Sequence, residues 1–239
     1  MTAGAVPSSA VAVVPAVRVD VVDNVPQAFA DVVVDAVARR PGGPASSFCL
    51  VLSGGPTARR CYEALASRAV EVPWARLVIL MGDERCVDPD DPDANQRLVR
   101  EALLSHVPSP AAFHPMTVAD GAAAYGRQLA GTVRPDLVHL GLGPDGHTAS
   151  LFPGGAALCA PPGQLAVDSS DPSGRNPHRR MTLTLHALAT ARLALFTVSG
   201  AAKADAFAAV RSGMPEPAHR VRSEQVRWLV DAEAAGGAA

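Results

Sequence analysis

D-L-V-H-L-G-L-G-P-D-G-H-T-A-S-L-F-P-G, residues 136–154, decides how this chain is read. Its first five residues, Asp136 to Leu140, are short, apolar and bounded by Pro135 and Gly141, the pattern of a buried strand in a parallel sheet. Gly141, Gly143 and Gly146 then fall within six residues, with Asp145 before the last and His147 after it. A strand that ends in such a loop delivers polar groups to the carboxyl edge of an open α/β sheet, where these sheets bind ligands. His147 is the residue here that can move a proton near neutral pH without a large pKa shift. The glycines also spell the G-x-G-x-x-G of dinucleotide sites. That use needs a long helix directly after the third glycine. Pro153-Gly154-Gly155 stops any helix within about two turns of Gly146, which argues against an NAD-dependent oxidoreductase.

Three further segments repeat the strand-then-polar-loop order. Ser47 to Leu52 reads as a central strand running into Ser53-Gly54-Gly55-Pro56-Thr57 and a helix from Ala58 to about Ala69. Strand, glycine-rich turn and helix is an arrangement that cradles phosphate, and the missing G-K-[ST] ending excludes a P-loop. Arg76 to Met81 reads as a strand that ends in Gly82-Asp83-Glu84-Arg85-Cys86. Arginine there can bind a carboxylate or phosphate, or stabilise an oxyanion. Leu193 to Val198 reads as a strand ending in Ser199-Gly200, followed by a helix from Ala201 to Arg211 with Lys203 in its first turn. A cation is misplaced at the positive end of a helix, and a bound anion removes the conflict. Lys203 is also the one lysine among 21 basic side chains. In a parallel sheet all four loops gather on one edge.

Around these segments, Val17 to Val22 reads as an edge strand and Val25 to Arg40 as a helix stopped by Pro41-Gly42-Gly43. Asp93 or Asn95 is expected to cap an amphipathic segment from Pro92 to Leu104. Pro108 to Pro115 reads as loop, Val118 to Gly131 as helix, and Ala160 to Gly174 as loop covering one side of the site. Met181 to Leu185 alternates as a strand with Arg180 at its start, and Val226 to Val230 completes the sheet. The expected organisation is a leader over 1–16, one catalytic domain over 17–233, and a frayed tail over 234–239 that follows Asp231.

A length of 239 residues suits one α/β domain. The formal net charge of −2 argues against a nucleic-acid partner, so an anionic substrate needs its positive charge gathered locally. Cys49, Cys61, Cys86 and Cys159 form no C-x-x-C pair and read as reduced thiols of a cytoplasmic protein. No run of about 20 apolar residues marks a membrane span. His139 lies within a strand and is expected to pack or meet a backbone group; His106, His114, His178, His186 and His219 read as surface.

These segments together resemble the 6-phosphogluconolactonases. The resemblance is carried by L-V-L-S-G-G-P-T (50–57), W-A-R-L-V-I-L-M-G-D-E-R-C-V (74–87), D-P-D-A-N (91–95), the 136–154 block, R-M-T-L-T-L (180–185) and G-A-A-K-A (200–204). It implies an α/β three-layer sandwich with a mostly parallel, Rossmann-like sheet, as in sugar-phosphate isomerases and deaminases. It implies no metal or cofactor, a phosphorylated sugar lactone as substrate and, in our reading, a monomer. The implied reaction is hydrolysis of 6-phospho-D-glucono-1,5-lactone to 6-phosphogluconate in the pentose phosphate pathway. On this reading Ser53, Gly54, Gly55 and Thr57 hold the phosphate, with charge from Arg180 and Lys203. His147 is the general base, Asp145 or Asp83 orients it, and Arg85 stabilises the oxyanion. Amino-sugar-phosphate deaminases have a similar D-G-H loop with a glutamate five residues after the histidine, where this chain has Phe152. A deaminase or isomerase, and a sugar-phosphate sensor without turnover, are the alternatives. Pro56-Thr57 departs from the more usual Ser/Thr-Pro order, which leaves the hydroxyl contact to phosphate open.

Overall fold

The computed structural model describes residues 16–40, 46–131 and 134–237. The expected leader, apart from Ala16, lies outside the described residues, as do Pro41-Gly42-Gly43 and residues 238–239. In chain order the strands and helices are β1 (Ala16–Val21), α1 (Val25–Ala38), β2 (Phe48–Leu52), α2 (Pro56–Ala66), β3 (Leu77–Met81), β4 (Asp83–Arg85), α3 (Asn95–Ala102) and β5 (Ala112–His114). They continue as α4 (Gly121–Ala130), β6 (Leu137–Leu140), β7 (Ala166–Ser169), β8 (Arg180–Leu183), α5 (Leu185–Ala189), β9 (Leu193–Val198), α6 (Ala204–Arg211) and β10 (Gln225–Val230).

Seven strands form one parallel sheet in the order β1-β10-β9-β6-β2-β3-β5. The central strands β2 and β6 are buried at every position, as their uninterrupted apolar sequences require. The chain steps outward from β2 to β3 and β5, then returns to insert β6 on the other side of β2. That reversal opens a crevice at the carboxyl ends of β2 and β6, the place where such sheets bind ligands. Helices cover both faces. Phe29 of α1 and Tyr62 of α2 pack against His139 on one face, with ring centroids 4.3 and 5.5 Å away. On the other, Phe207 of α6 packs on Trp228, which stacks on Phe196 at 3.8 Å. α1 buries Val25, Phe29, Val33 and Val37, spaced at i, i+4, and Asn24 caps it by accepting from the Gln27 amide at 3.0 Å.

The structure corrects four expectations from sequence. Residues 83–85 and 166–169, read as loops, are strands β4 and β7, which pair antiparallel with β8 in a second, three-stranded sheet. Residues 112–114, also read as loop, add β5 to the main sheet beside β3. Three- and four-residue strands carry too few positions to show a period-2 pattern. Neither Asp93 nor Asn95 caps α3; Ala94 is the N-cap residue and makes no side-chain bond. Glu84, eleven residues upstream of Asn95, does the capping through space. Ala234, placed in the frayed tail, is fully buried, and Asp231 accepts hydrogen bonds from Ser199 Oγ at 2.5 Å and from the Gly200 and Ala234 amides.

Beneath β6, buried Asp136 accepts from the Cys49 amide at 2.9 Å and faces Arg40 Nε at 2.7 Å and Arg192 Nε at 3.2 Å, close ion contacts without hydrogen-bond alignment. Asp136→Ala leaves both arginines without their shared counter-charge and is expected to cost about 3 kcal/mol of stability, read from urea unfolding midpoints.

Candidate active site

Four neighbouring strands of the sheet, β9, β6, β2 and β3, send their carboxyl-terminal loops into one cleft of about 220 Å³. Ser53, Gly54, Gly55, Thr57, Asp83, Arg85, His147, Arg180 and Lys203 all line it. Asp145 stands behind His147 rather than on the cleft wall. Its Oδ1 lies 2.5 Å from His147 Nδ1 and also accepts the His147 amide at 3.2 Å. A carboxylate there accepts a proton held on Nδ1, so Nε2 carries the free lone pair. Burial pushes the Asp145 carboxyl up, but the hydrogen bond and charge of His147 outweigh it and hold the group below its usual range. Asp83 does not meet the imidazole; it accepts from Ser150 Oγ at 2.7 Å. The loop is tight enough to need glycine at two points. Gly146 has φ +81°, and a Cβ on Gly143 would lie 2.1 Å from His147 Nδ1 and 2.7 Å from Asp145 Oδ1. Phe152 is fully buried with its ring 4.8 Å from that of His147, and the Arg180 guanidinium lies 5.9 Å over it.

Arg85 and Arg180 are direct partners in the β4–β8 ladder, so both side chains emerge on one face. Like charges opposite one another on a sheet repel. Burial and the neighbouring Arg85 charge lower the Arg180 pKa. The Nε atoms of both arginines are buried without a hydrogen-bond partner. Lys203, at the N-cap of α6, is half-buried, and loss of hydration lowers its pKa while Asp145 opposes the shift. Three cations with unspent donors thus surround a cleft in a chain of net charge −2. On the β2 side, Gly55 turns the chain with φ 106°, Pro56 starts α2, and no side chain caps the helix. The first amides of α2 are left without a side-chain cap while Thr57 and Ala58 line the cleft, a ready site for an anionic oxygen.

Glu84 was not singled out from sequence, because it reads as an ordinary loop residue, and Asn95 was expected only as a helix cap. Glu84 is fully buried and accepts the Arg85, Asn95 and Gln96 amides, each at 2.7 Å. Burial pushes its carboxyl up to about 7, against the pull of those three donors. Asn95 is buried, donates from Nδ2 to the Asp83 carbonyl at 3.0 Å, and packs its amide where Gly54 has no side chain. A Cβ on Gly54 would lie 1.8 Å from Asn95 Oδ1. Gly54→Ala is therefore expected to raise KM about tenfold or more while leaving His147 in place, as initial-rate kinetics would show.

The chain is similar in sequence and fold to known proteins. The family described as glucosamine-6-phosphate isomerases/6-phosphogluconolactonase matches residues 17–230. The chain belongs to this family. Among its relatives, the 6-phosphogluconolactonase of Mycobacterium leprae is 37% identical over 207 residues, covering 78% of this chain and 83% of that protein. That of Synechocystis is 37% identical over 218 residues, covering 83% and 86%. The crystal structure of 6-phosphogluconolactonase from Thermotoga maritima superposes with a TM-score of 0.76 at 29% identity, covering 90% of this chain and 99% of that one. Within the family match lie all four cleft loops and every candidate site residue. No helix among the described residues is long and apolar enough to cross a membrane.

Proposed function

We propose that this protein hydrolyses 6-phospho-D-glucono-1,5-lactone to 6-phosphogluconate, with His147 as general base. The carrying observation is the Asp145–His147 pair facing the same cleft as Arg85, Arg180 and Lys203. Water is the nucleophile on this reading, because the serine hydroxyls nearby are already spent as donors. Ser53 Oγ donates to the His139 carbonyl at 2.9 Å, Ser150 Oγ to Asp83, and Ser199 Oγ to Asp231. His147 Nε2 takes a proton as the water oxygen adds to the lactone carbonyl carbon. The resulting oxyanion is held by the Arg85 guanidinium. Collapse breaks the bond from that carbon to the ring oxygen, which recovers the proton from His147, and the new carboxylic acid ionises. Asp145 keeps the imidazole oriented and favours its transient positive charge. The phosphate is held by the Ser53–Thr57 loop, the first amides of α2, Arg180 and Lys203, with Asp83 shaping the cleft wall.

Every group in this scheme comes from one domain over 17–233, so a monomer suffices, and its partner is a small phosphorylated lactone rather than nucleic acid. We place the reaction in the cytoplasm, in keeping with four unpaired thiols. The test is acid release from freshly generated lactone, corrected for spontaneous opening. Acceleration by the wild-type protein is expected; its absence rejects the reading in favour of a sensor. Ammonia release from glucosamine 6-phosphate would instead establish the deaminase.

A further inference from the structure

The chain contains two tyrosines, and both do the same thing. Each is buried, and each hydroxyl bridges the N–H and C=O of one residue at the carboxyl end of a central strand. Tyr62 accepts from the Ser53 amide at 2.9 Å and donates to the Ser53 carbonyl at 2.7 Å. Tyr125 makes the same pair with Met81 at 2.8 and 2.8 Å. The Tyr125 hydroxyl also lies 3.4 Å from the His114 carbonyl, whereas Tyr62 reaches a further side chain. Its oxygen lies 3.0 Å from His139 Nδ1, and His139 Nε2 lies 2.8 Å from Thr197 Oγ1.

A phenol has one proton, and this one is spent on the Ser53 carbonyl. Tyr62 must therefore accept from both the Ser53 N–H and His139 Nδ1–H. His139 is then neutral with its proton on Nδ1, and Nε2 accepts from the Thr197 hydroxyl. Donation runs one way, Thr197 to His139 to Tyr62 to Ser53, across the adjacent strands β9, β6 and β2. The Ser53 hydroxyl closes the circuit on the His139 carbonyl at 2.9 Å. The imidazole is fully buried, and burial lowers its pKa to about 3, so it stays neutral wherever the fold is intact. His139 packs against Phe29 and Tyr62, as expected from its strand position, and carries this side-chain relay in addition.

We propose that Tyr62, oriented by His139 and Thr197, is a positioning residue that sets the geometry of the Ser53–Thr57 loop toward phosphate. The inference rests on the reading of that loop as the phosphate holder. Without the hydroxyl, three buried groups lose their partner: the Ser53 N–H, the Ser53 carbonyl and His139 Nδ1–H. Tyr62→Phe is expected to raise KM for the phosphorylated lactone about tenfold, with kcat held within about twofold. The dissociation constant for inorganic phosphate, followed by NMR titration without turnover, rises by the same factor. Thr197→Val, which cuts the relay at its far end, moves both in the same direction by less. Tyr125→Phe, the same chemical change one strand away, leaves phosphate affinity within about twofold. Imidazole 15N spectra of the wild type are expected to show His139 as the Nδ1–H form, unchanged from pH 8 to pH 5. A protonated Nε2, or equal losses of phosphate affinity in Tyr62→Phe and Tyr125→Phe, overturns the proposal. Should Tyr62→Phe not fold, Thr197→Val and the wild-type tautomer still decide it. A wild type that binds phosphate yet does not accelerate lactone opening refutes the hydrolase reading instead, leaving the positioning test intact.

Discussion

His147→Ala is expected to lower kcat for lactone opening about 10²–10⁴-fold, with KM little changed. The imidazole is the one group in the cleft with a free lone pair, a carboxylate behind it and an exposed edge. Its Nδ1 is committed to Asp145 at 2.5 Å, and Phe152 holds the ring face at 4.8 Å, so Nε2 is aimed rather than free to swing. On the proposed reading the substrate's far end is held by groups that the substitution does not touch, namely the Ser53–Thr57 loop, Arg180 and Lys203. Inhibition by inorganic phosphate should therefore survive. Progress curves of acid release, set against spontaneous opening of the lactone, measure the effect. A variant within tenfold of the wild type would transfer the base to another group, with Asp83 the next candidate on the cleft wall.

Gly143→Ala is expected to cost nearly as much, about 10²-fold in kcat, although it adds one methyl group to a residue that does no chemistry. The added Cβ falls 2.1 Å from His147 Nδ1, 2.3 Å from its Cε1 and 2.7 Å from Asp145 Oδ1. Both partners of the pair must move, and they cannot move together, because the loop closes on itself through Gly143 N–H to the His147 carbonyl at 2.8 Å. The imidazole is displaced by more than the roughly 1 Å that already costs an enzyme about two orders of magnitude. An unchanged urea midpoint with lost turnover would locate the damage in the pair. Retained turnover would show that the histidine acts from a different position.

The organisation of the cleft was largely legible in the chain because its four loops are local features. Each follows a run of apolar residues long enough to be a strand, and each is marked by glycine beside polar side chains. Lys203 was legible for an electrostatic reason, a lone cation at the positive end of a helix. Arg180 was legible as a position, at the head of a strand, but not as the partner of Arg85. That pairing depends on the register of β4 against β8, two strands separated by 94 residues in sequence. Glu84 escaped notice because a buried carboxylate and a surface one look alike until a distant helix end arrives to be capped, and Asn95 was read only as a cap of that helix. Tyr62 drew no reading and His139 was expected only to pack or meet a backbone group, because their polar side-chain atoms meet only once helix and strand are packed together.

The alternation of strand and helix, the apolar centre of the sheet and the glycine-rich edge loops were determined by the sequence alone, because turn chemistry and hydrophobic periodicity act over a few residues. The choice of Asp145 over Asp83 beside His147, the opposition of the two arginines, and the relay from Thr197 to Ser53 were decided only by the tertiary structure. Each of these depends on hydrogen-bond geometry at the scale of tenths of an ångström, between atoms that only the packed sheet brings together.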